Sequence, residues 1–548
     1  HRRGVNEPGE RPSIKWNTWG PAAFAAAEGE GRPVLLRVTA FWSREGRVQE
    51  DEGDRDPEVV GTVARGFVPA TAVLSASCAV RQRAEGRMEA AAFLAFLKGS
   101  GDRGKGTARE PPSLAAKGAP APDLEALTGA LLAAYDWRNH GFGAAPKEPS
   151  GEPFETALAI GCRRGTPYAG KAALLGLSAL PKTEAFDAVE GGFFRECATN
   201  AWQEPSLEKL LEVNASLLSA YAAAFAASGG AEHRRVALET ARYIDRGLSA
   251  TEGHLWGTSQ AADEEYYAKM AHRRAMHGAP PVDPTVRVDL CASAASAFAR
   301  AGLCLEEPRL IARGQIALDE LFLSGAVEGA RVRHFKDEGG WQGEGWLPDH
   351  TELGRAALEL YCATGSSAWL ERALKLARAL VPAFSDPDGL GLLNLRNDVP
   401  SRPRLPPQIS PPHIARASIF LQRVGETLGD GALVGEGRRL ALSAPRAAAF
   451  AMPEGAALAG ALLAALEGTV VVEGPSPKGG APSAKLARAA LALAVPLGAF
   501  TLDGRPPKER NADGAVTFRV GERRSPPARD LAELRGALAA VTALHDVP

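Results

Sequence analysis

The sequence predicts a mainly helical protein built around an (α/α)6 toroid, with a smaller α/β segment at each end. Three observations predict it. The chain has 548 residues and 45% hydrophobic content, much of it in Ala- and Leu-rich stretches that suit helices. Twelve segments between residues 123 and 467 carry apolar residues at helical spacing. The connections between them alternate short and long. Short links make antiparallel helix pairs, and pairs packed side by side in a ring gather the long loops at one end, where long loops in compact domains usually serve function.

Residues 1–12, HRRGVNEPGERP, read as a flexible tether. Residues 13–100 alternate strand and helix: Pro33–Phe41 is a strand, Asp56 caps a helix to Arg65 with Pro57 at its first position, Val68–Leu74 is a second strand, and Arg87–Lys98 is an amphipathic helix. This βαβα order implies a small parallel sheet. Residues 101–122 form a Gly-, Pro- and Ser-containing linker without apolar period.

The twelve helical cores of 123–467 lie near Leu124–Ala134, Pro153–Cys162, Lys171–Leu180, Leu207–Ala227, His233–Leu248, Leu290–Ala301, Pro308–Leu323, Thr351–Ala363, Ala368–Phe384, His413–Leu428, Ala432–Ala448 and Ala456–Leu466. A helical solenoid is the rival arrangement, but no fixed repeat supports it. Residues 468–548 alternate again, with strands at Thr469–Val472 and Ala515–Val520 and helices at Ala484–Ala494 and Arg529–Ala543, and read as a small α/β cap.

Composition excludes several classes. Lys+Arg number 63 against 65 Asp+Glu, with no long basic block, so nucleic acid is not indicated as a partner. Apolar runs such as Ala220–Ala227 fall far short of the roughly 20 residues that span a bilayer. The chain starts at His1, which implies a processed or trimmed product, cytoplasmic or exported to the cell envelope after signal removal. Six cysteines are scattered without C-x-x-C, which implies buried small apolar residues rather than a disulfide framework. No cluster has zinc spacing, and no phosphate-cradling glycine loop sits in a strand-to-helix context, so no metal and no cofactor are expected.

Several ordered motifs carry a resemblance. IKWNTWGPAAFAAAEGEGRPVLLRV (14–38), Asp56-Pro-Glu-Val-Val60, Gly66-Phe-Val-Pro69, His140-Gly-Phe-Gly-Ala-Ala-Pro-Lys147, Gly191-Gly-Phe-Phe-Arg195, Trp202, Pro205–Asn214 (PSLEKLLEVN) and Trp346-Leu-Pro-Asp349 occur in one order along the chain. Together the chain resembles the family of thioredoxin-domain proteins that includes spermatogenesis-associated protein 20 and its bacterial relatives. The resemblance implies a thioredoxin-like domain joined to a barrel like that of sugar epimerases and six-hairpin glycosidases. It also implies a loss. Where the family has its C-H-W-C redox motif, this chain has Ser43-Arg44-Glu45-Gly46, preceded by Trp42. The β-hairpin segment after the second strand is expected to be missing, so the domain reads as truncated. Ser206, Leu290-Cys291-Ala292 and Pro411–Ile414 replace further polar signature positions.

Thiol–disulfide exchange needs an attacking thiolate, which Ser43 and Gly46 cannot supply. Cys78, beside Arg81 and Arg83, is the one candidate thiol in that segment. At the barrel mouth, Glu208, Asp349 and His350 are the candidate catalytic residues, and Trp202, Lys209, Asn214, Glu264 and Trp346 the candidate binding residues. Carboxylates with aromatic rings at one end of a toroid are what sugar chemistry uses. His350 and His254 are the histidines expected near the mouth. Each has a plainer role: Asp349 and Asp289 as helix caps, Glu208 and Lys209 as an ion pair, the tryptophans as plugs.

The leading expectation is a degenerate member of that family, a binding or scaffold protein without dithiol activity that recognises a sugar, another small molecule or a protein at the barrel mouth. The alternative is a carbohydrate-active enzyme, epimerase- or glycosidase-like. A residual thiol oxidoreductase is third. Glu208 and Asp349 facing inward around an open cavity favour the enzyme; a mouth plugged by Trp202 and Trp346 contradicts it.

Overall fold

The computed structural model describes residues 14, 21–32, 34–35, 57–66, 68–69, 73–74, 80–82, 123–250, 253–337, 339–386, 391–397, 409–443, 455–504 and 514–542. The chain divides into two units, one of His1–Ser113 with Pro400–Pro406, the other of Leu114–Val399 with Pro407–Pro548. Trp42, Ser43, Gly46, Cys78 and the helix expected at Arg87–Lys98 lie outside the described residues.

In the first unit, helices α1 (Pro21–Glu30) and α2 (Pro57–Gly66) accompany strands β1 (Val34–Leu35), β2 (Val68–Pro69), β3 (Val73–Leu74) and β4 (Val80–Gln82). The sheet order is β2-β1-β3-β4. β1 and β2 run parallel, but β3 is antiparallel to both β1 and β4. The expectation of an all-parallel sheet without a hairpin is therefore corrected. The apolar run Val68–Leu74 breaks into two strands and turns back, and β3 with β4 forms a hairpin. The run itself hides the break, because Pro69-Ala70-Thr71 reads as apolar strand while Pro69 cannot donate to a ladder.

The second unit holds the toroid. Its helices are α3 (Leu124–Ala133), α4 (Gly151–Arg164), α5 (Pro167–Ala179), α6 (Leu211–Ser228), α7 (Ala231–Gly247), α8 (Val288–Cys304), α9 (Pro308–Leu323), α10 (Leu347–Thr364), α11 (Ser367–Phe384), α12 (Pro411–Leu428), α13 (Gly431–Ser443) and α14 (Gly455–Glu467). The even-numbered helices form a closed inner ring in which each packs on the next and α14 packs back on α4. The odd-numbered ones lie outside, each against an inner partner. All twelve helices read from the sequence are present, and their ring is the (α/α)6 toroid.

Local chemistry explains the pairing. Inner helices α4, α6, α10 and α12 each end on a glycine in the left-handed region, Gly165, Gly229, Gly365 and Gly429, with φ between 61° and 69°. Glycine adopts this conformation without steric cost and stops the helix, so the chain reverses within a few residues. Inner helices are rich in Ala and buried nearly all round; in α8, Val288, Cys291, Ala292, Ala294 and Ala295 are all fully covered. Small side chains let two neighbours approach closely. At Gly151 a Cβ would lie 2.1 Å from the Ser216 carbonyl oxygen, so α4 meets α6 only without a side chain there. Outer helices bury one stripe, as α7 does with His233, Val236, Ala237, Thr240, Ala241 and Ile244.

The long connections carry structure of their own. β5 (Lys209–Leu210) pairs with β6 (Ser259–Gln260). β7 (Val286–Arg287), β8 (Val327–Glu328), β9 (Arg331–Asp337) and β10 (Gly340–Glu344) form a small sheet in the order β10-β9-β7, with β8 also on β9. The opposite, short-turn end is sealed by β11 (Val470–Glu473), α15 (Pro482–Ala494), β12 (Phe500–Leu502), β13 (Thr517–Val520), β14 (Arg523–Arg524) and α16 (Leu531–Ala539). β11 pairs parallel with β12 and antiparallel with β13. This layer is tied to the inner helices by Tyr361 Oη donating to the Asp503 carbonyl and by Arg423 Nε donating to the Phe500 carbonyl, while the buried Arg423–Glu359 pair at 2.6 Å joins α12 to α10. No described helix is long and apolar enough to cross a membrane.

Candidate functional site

A cavity of about 580 Å³ opens among the N-terminal ends of five inner helices, α4, α6, α8, α10 and α12. Along α8 its wall runs from Asp289 at the rim to Arg300, about 16 Å of helix at roughly 1.5 Å per residue. Glu148, Glu152, Glu155, Glu212, Asp289 and Glu352 line it, with Arg287, Arg300, Arg355 and Arg416, two histidines, His334 and His413, and one tryptophan, Trp346. Helix N-termini favour carboxylates, because unpaired backbone N–H groups and the aligned peptide dipoles present positive charge there.

Most of these charges are clamped. Arg416 reaches across the ring to Glu152 with two parallel hydrogen bonds of 3.0 Å. Arg300 donates to Glu155 at 3.1 Å, Arg355 to Glu352 at 2.9 Å, and Arg287 to both oxygens of Asp289 at 3.1 and 2.5 Å. Burial alone would raise the Glu152 carboxyl, yet the Arg416 guanidinium holds it below its ordinary range. Glu212, in the first turn of α6, has no hydrogen-bond or ion-pair partner among the described residues and is exposed.

Two histidines stand among these groups. β9 pairs with β7 at Phe335↔Arg287, which sets His334 beside the start of α8. His334 Nδ1 lies 2.9 Å from Asp349 Oδ2, and its ring packs 5.2 Å from that of Trp346. Asp349 is completely buried and also accepts from the Asp289 backbone N–H at 3.2 Å. Burial pushes the Asp349 carboxyl up to about 7; Asp289 pushes the same way, and the His334 hydrogen bond opposes both. His413, near the start of α12, donates from Nδ1 to Asn394 Oδ1 at 3.2 Å. Burial first, and the Arg416 charge second, lower His413 to about 4, so its imidazole is neutral at physiological pH. In both residues Nε2 is the nitrogen left for a ligand. An isolated antiparallel β-bridge, Trp346↔Leu395, and the bond from the Leu347 N–H to the Asn394 carbonyl join the two histidine supports.

Of the residues expected at the mouth, Trp346 lines the cavity and Asp349 lies directly behind His334. The others are elsewhere. Glu208 is buried against Arg195 at 3.6 Å. His350 is wholly buried, with Nδ1 against the Trp346 carbonyl, Nε2 against the Ala330 carbonyl and its ring edge-on to Phe384. Both were expected to face inward as catalytic groups; neither lines the cavity, His350 being held by packing and backbone carbonyls and Glu208 by Arg195. Asn214 is buried and ties Phe193 N–H and C=O and the Leu210 carbonyl. Lys209 is buried on Asp187 at 2.7 Å, beside Arg274 on the same carboxylate, inside a cage of Phe194, Tyr243 and Tyr267. Burial lowers Lys209 to about 8. Trp202 is buried over Gly141 and Lys147 and does not plug the cavity. Glu264 sits exposed on a short helix, Glu264–Tyr267. His254, also expected near the mouth, is exposed and lines no part of the cavity.

His334, His413 and the arginine–carboxylate pairs were missed. A turn signal lay nearby: Val332-Arg-His-Phe-Lys336 runs into Gly339-Gly340, although its apolar residues, Val332 and Phe335, are three apart and do not alternate. Asp289, His334 and Asp349 bring three potential ligand atoms within 4.8 Å of one another, the one such cluster found among the described residues. The Arg287 guanidinium on Asp289 already supplies a cation there. Cys162, Cys197, Cys291 and Cys304 are buried free thiols pushed up to about 12, and Cys362 to about 11, which makes them poor nucleophiles.

No family model and no curated protein matches the chain. Among solved structures it is similar to a sugar epimerase from a ruminal bacterium, at 12% identity and TM-score 0.45, covering 58% of this chain and 85% of that one. It is similar to cellobiose 2-epimerase from Spirochaeta thermophila, at 16% identity and TM-score 0.46, covering 60% and 86%. A D-mannose isomerase matches at 15% identity and TM-score 0.45, again covering 60% and 86%.

Proposed function

We propose that the second unit is a carbohydrate-acting enzyme of the isomerase or epimerase type, working by proton transfer at His334. One observation carries the reading: His334 lies at the rim of an open polar cavity, held at 2.9 Å by the completely buried Asp349. A buried carboxylate behind an imidazole fixes its tautomer and stabilises the imidazolium that forms when Nε2 accepts a proton. In the proposed step Nε2 takes the proton from the carbon next to the sugar carbonyl. The C–H electron pair moves to the carbonyl oxygen, giving an enediolate beside Arg287. The imidazolium returns its proton to carbon. Neutral His413 accepts a hydrogen bond from a sugar hydroxyl, and Trp346 offers a ring face to the sugar.

The reading is preferred to glycoside hydrolysis because a glycosidase needs a protonated carboxyl as general acid. Four of the six lining carboxylates, Glu152, Glu155, Asp289 and Glu352, are each tied to an arginine, which leaves fewer of them for that role. It is preferred to the scaffold reading because a scaffold needs neither an open cavity nor an imidazole on a buried carboxylate. Incubating the protein with aldoses in deuterated water and following loss of the C2 proton by NMR tests it; exchange that requires His334 supports it.

For the first unit, we infer a thioredoxin-like domain without dithiol chemistry. The mixed sheet, a parallel pair extended by an antiparallel hairpin, supports this, together with the absence of C-x-x-C anywhere in the sequence. Insulin reduction tests it; turnover that vanishes in Cys78→Ser contradicts it.

A further inference from the structure

A second pocket of about 310 Å³ adjoins the first, and the two share Glu148 and Ser150 as common wall. Its character differs. Phe142, Ala144, Pro146, Pro153 and Phe154 make it largely apolar, with Glu148 at the junction and Glu196 at the far side. Both volumes fall within or near the range of roughly 300–1,000 Å³ of small-molecule sites. The wall is the His140–Lys147 loop, which no part of the proton-transfer step uses.

That loop is held rigidly from behind. Lys147 is completely buried, and its Nζ donates to Asp136 Oδ2 at 3.1 Å, to the His140 carbonyl at 2.7 Å and to the Asn200 carbonyl at 3.3 Å. Trp202 Nε1 donates to the same His140 carbonyl at 2.9 Å. Asn200 Oδ1 accepts from the Ala145 N–H at 2.7 Å, and Lys147 exchanges two backbone bonds with Cys197. Burying an ammonium is costly unless it is fully bonded, and these bonds fix the backbone of the pocket wall before any ligand arrives.

We propose that this pocket is a subsite for a second ring, so that the enzyme takes a disaccharide or glycoside rather than a free monosaccharide. The inference rests on the carbohydrate reading of the main cavity. A pyranose presents an apolar C–H face and a polar edge. Pro146, Pro153 and Phe142 match the face, and Glu148 and Glu196 match hydroxyls at the edge. The reacting ring occupies the polar cavity beside His334, and the glycosidic bond passes Ser150.

Ala144 and Pro146 are exposed on the wall, so filling the pocket there disturbs no core. The test compares calorimetric binding of glucose, galactose and mannose with binding of cellobiose, lactose and the phenyl glycosides of the same hexoses. It uses the full chain and the variants Ala144→Trp and Ala144→Leu, with melting temperatures confirming that each folds. The expected result is binding of a disaccharide or phenyl glycoside at least tenfold tighter than its hexose, with that gain reduced in Ala144→Leu, lost in Ala144→Trp, and hexose binding unchanged. Hexose binding without a gain from the second ring, or a gain that survives Ala144→Trp, overturns the subsite and leaves the main reading standing. Binding of neither class by the unmodified protein overturns both.

Discussion

His334 Nδ1 and Asp349 Oδ2 lie 2.9 Å apart, although 15 residues and a β-hairpin separate them in the chain. β9 delivers the imidazole and the first turn of α10 delivers the carboxylate. In Asp349→Asn the acceptor geometry is kept but the charge is lost. Catalytic turnover is expected to fall about 10²–10⁴-fold, the range spanned when an orienting carboxylate of a base is neutralised. A side-chain ¹⁵N NMR spectrum checks the cause independently of turnover. His334 carries its proton on Nδ1 in the unmodified protein and loses that preference in the variant. An unchanged tautomer contradicts the pairing.

The two perturbed groups give opposite pH signatures. Asp349 is raised from 3.8 to about 7, so between those values the folded state binds more protons. Its stabilisation is full below pH 3.8 and is lost as pH rises through 7. His413 is lowered from 6.5 to about 4, so the unfolded state binds more protons in that window, and stability falls as pH drops from 6.5 toward 4. Asp349→Asn removes the first contribution. Relative to the unmodified protein, its melting temperature is expected to climb as pH goes from 4 to 7. A difference that stays flat contradicts the raised carboxyl.

Asn214 and His350 are expected to matter for folding and not for binding. Asn214→Ala strands the Phe193 N–H and carbonyl in the core, at a cost of about 2–4 kcal/mol for buried groups left unpaired. His350→Ala removes a side-chain hydrogen bond to the backbone and opens a void against Phe384; the Ala330 and Trp346 carbonyls keep donors from Arg396 and from the N–H of position 350, so the loss is expected to be smaller. Denaturant melts measure both. Loss of sugar affinity in a folded His350→Ala protein contradicts its assignment to packing.

Lys209 is expected to join two long loops. It binds Asp187 and the Gly191 carbonyl from β5, while Arg274 reaches the same carboxylate from the connection that follows. Lys209→Met leaves Asp187 with one cation instead of two and is expected to cost about 3–5 kcal/mol, the range for breaking a buried pair. Hydrogen exchange is expected to rise across residues 180–210. Unchanged protection there contradicts the role.

The ring was legible because its signals are local. Apolar spacing, the Gly-containing links and Ala-rich inner helices place Phe154, Leu218 and Leu353 inside without reference to anything distant. The site was not, because it is assembled across the ring. Arg416 meets Glu152 across a separation of 264 in sequence, and Asp289 meets Asp349 across one of 60. Family-like motifs also misled: Glu208, Lys209 and Asn214 stand together in PSLEKLLEVN, yet all three are consumed in fixing the loop. The hairpin that carries His334 was read as a plain long loop, since Val332 and Phe335, three apart, give no strand alternation. Asp349 was noticed as a helix start, and its position behind His334 follows only from the fold.

The most direct measurement is proton exchange at carbon. Glucose, mannose, galactose and cellobiose are incubated in deuterated water near pH 7.5 with the unmodified protein, His334→Ala and Asp349→Asn, and the C2 proton is followed by NMR. Deuterium incorporation at C2 of at least one sugar by the unmodified protein, abolished in His334→Ala and strongly slowed in Asp349→Asn, is the predicted result. A sugar that binds in the cavity without any exchange, or exchange that persists in His334→Ala, contradicts the account.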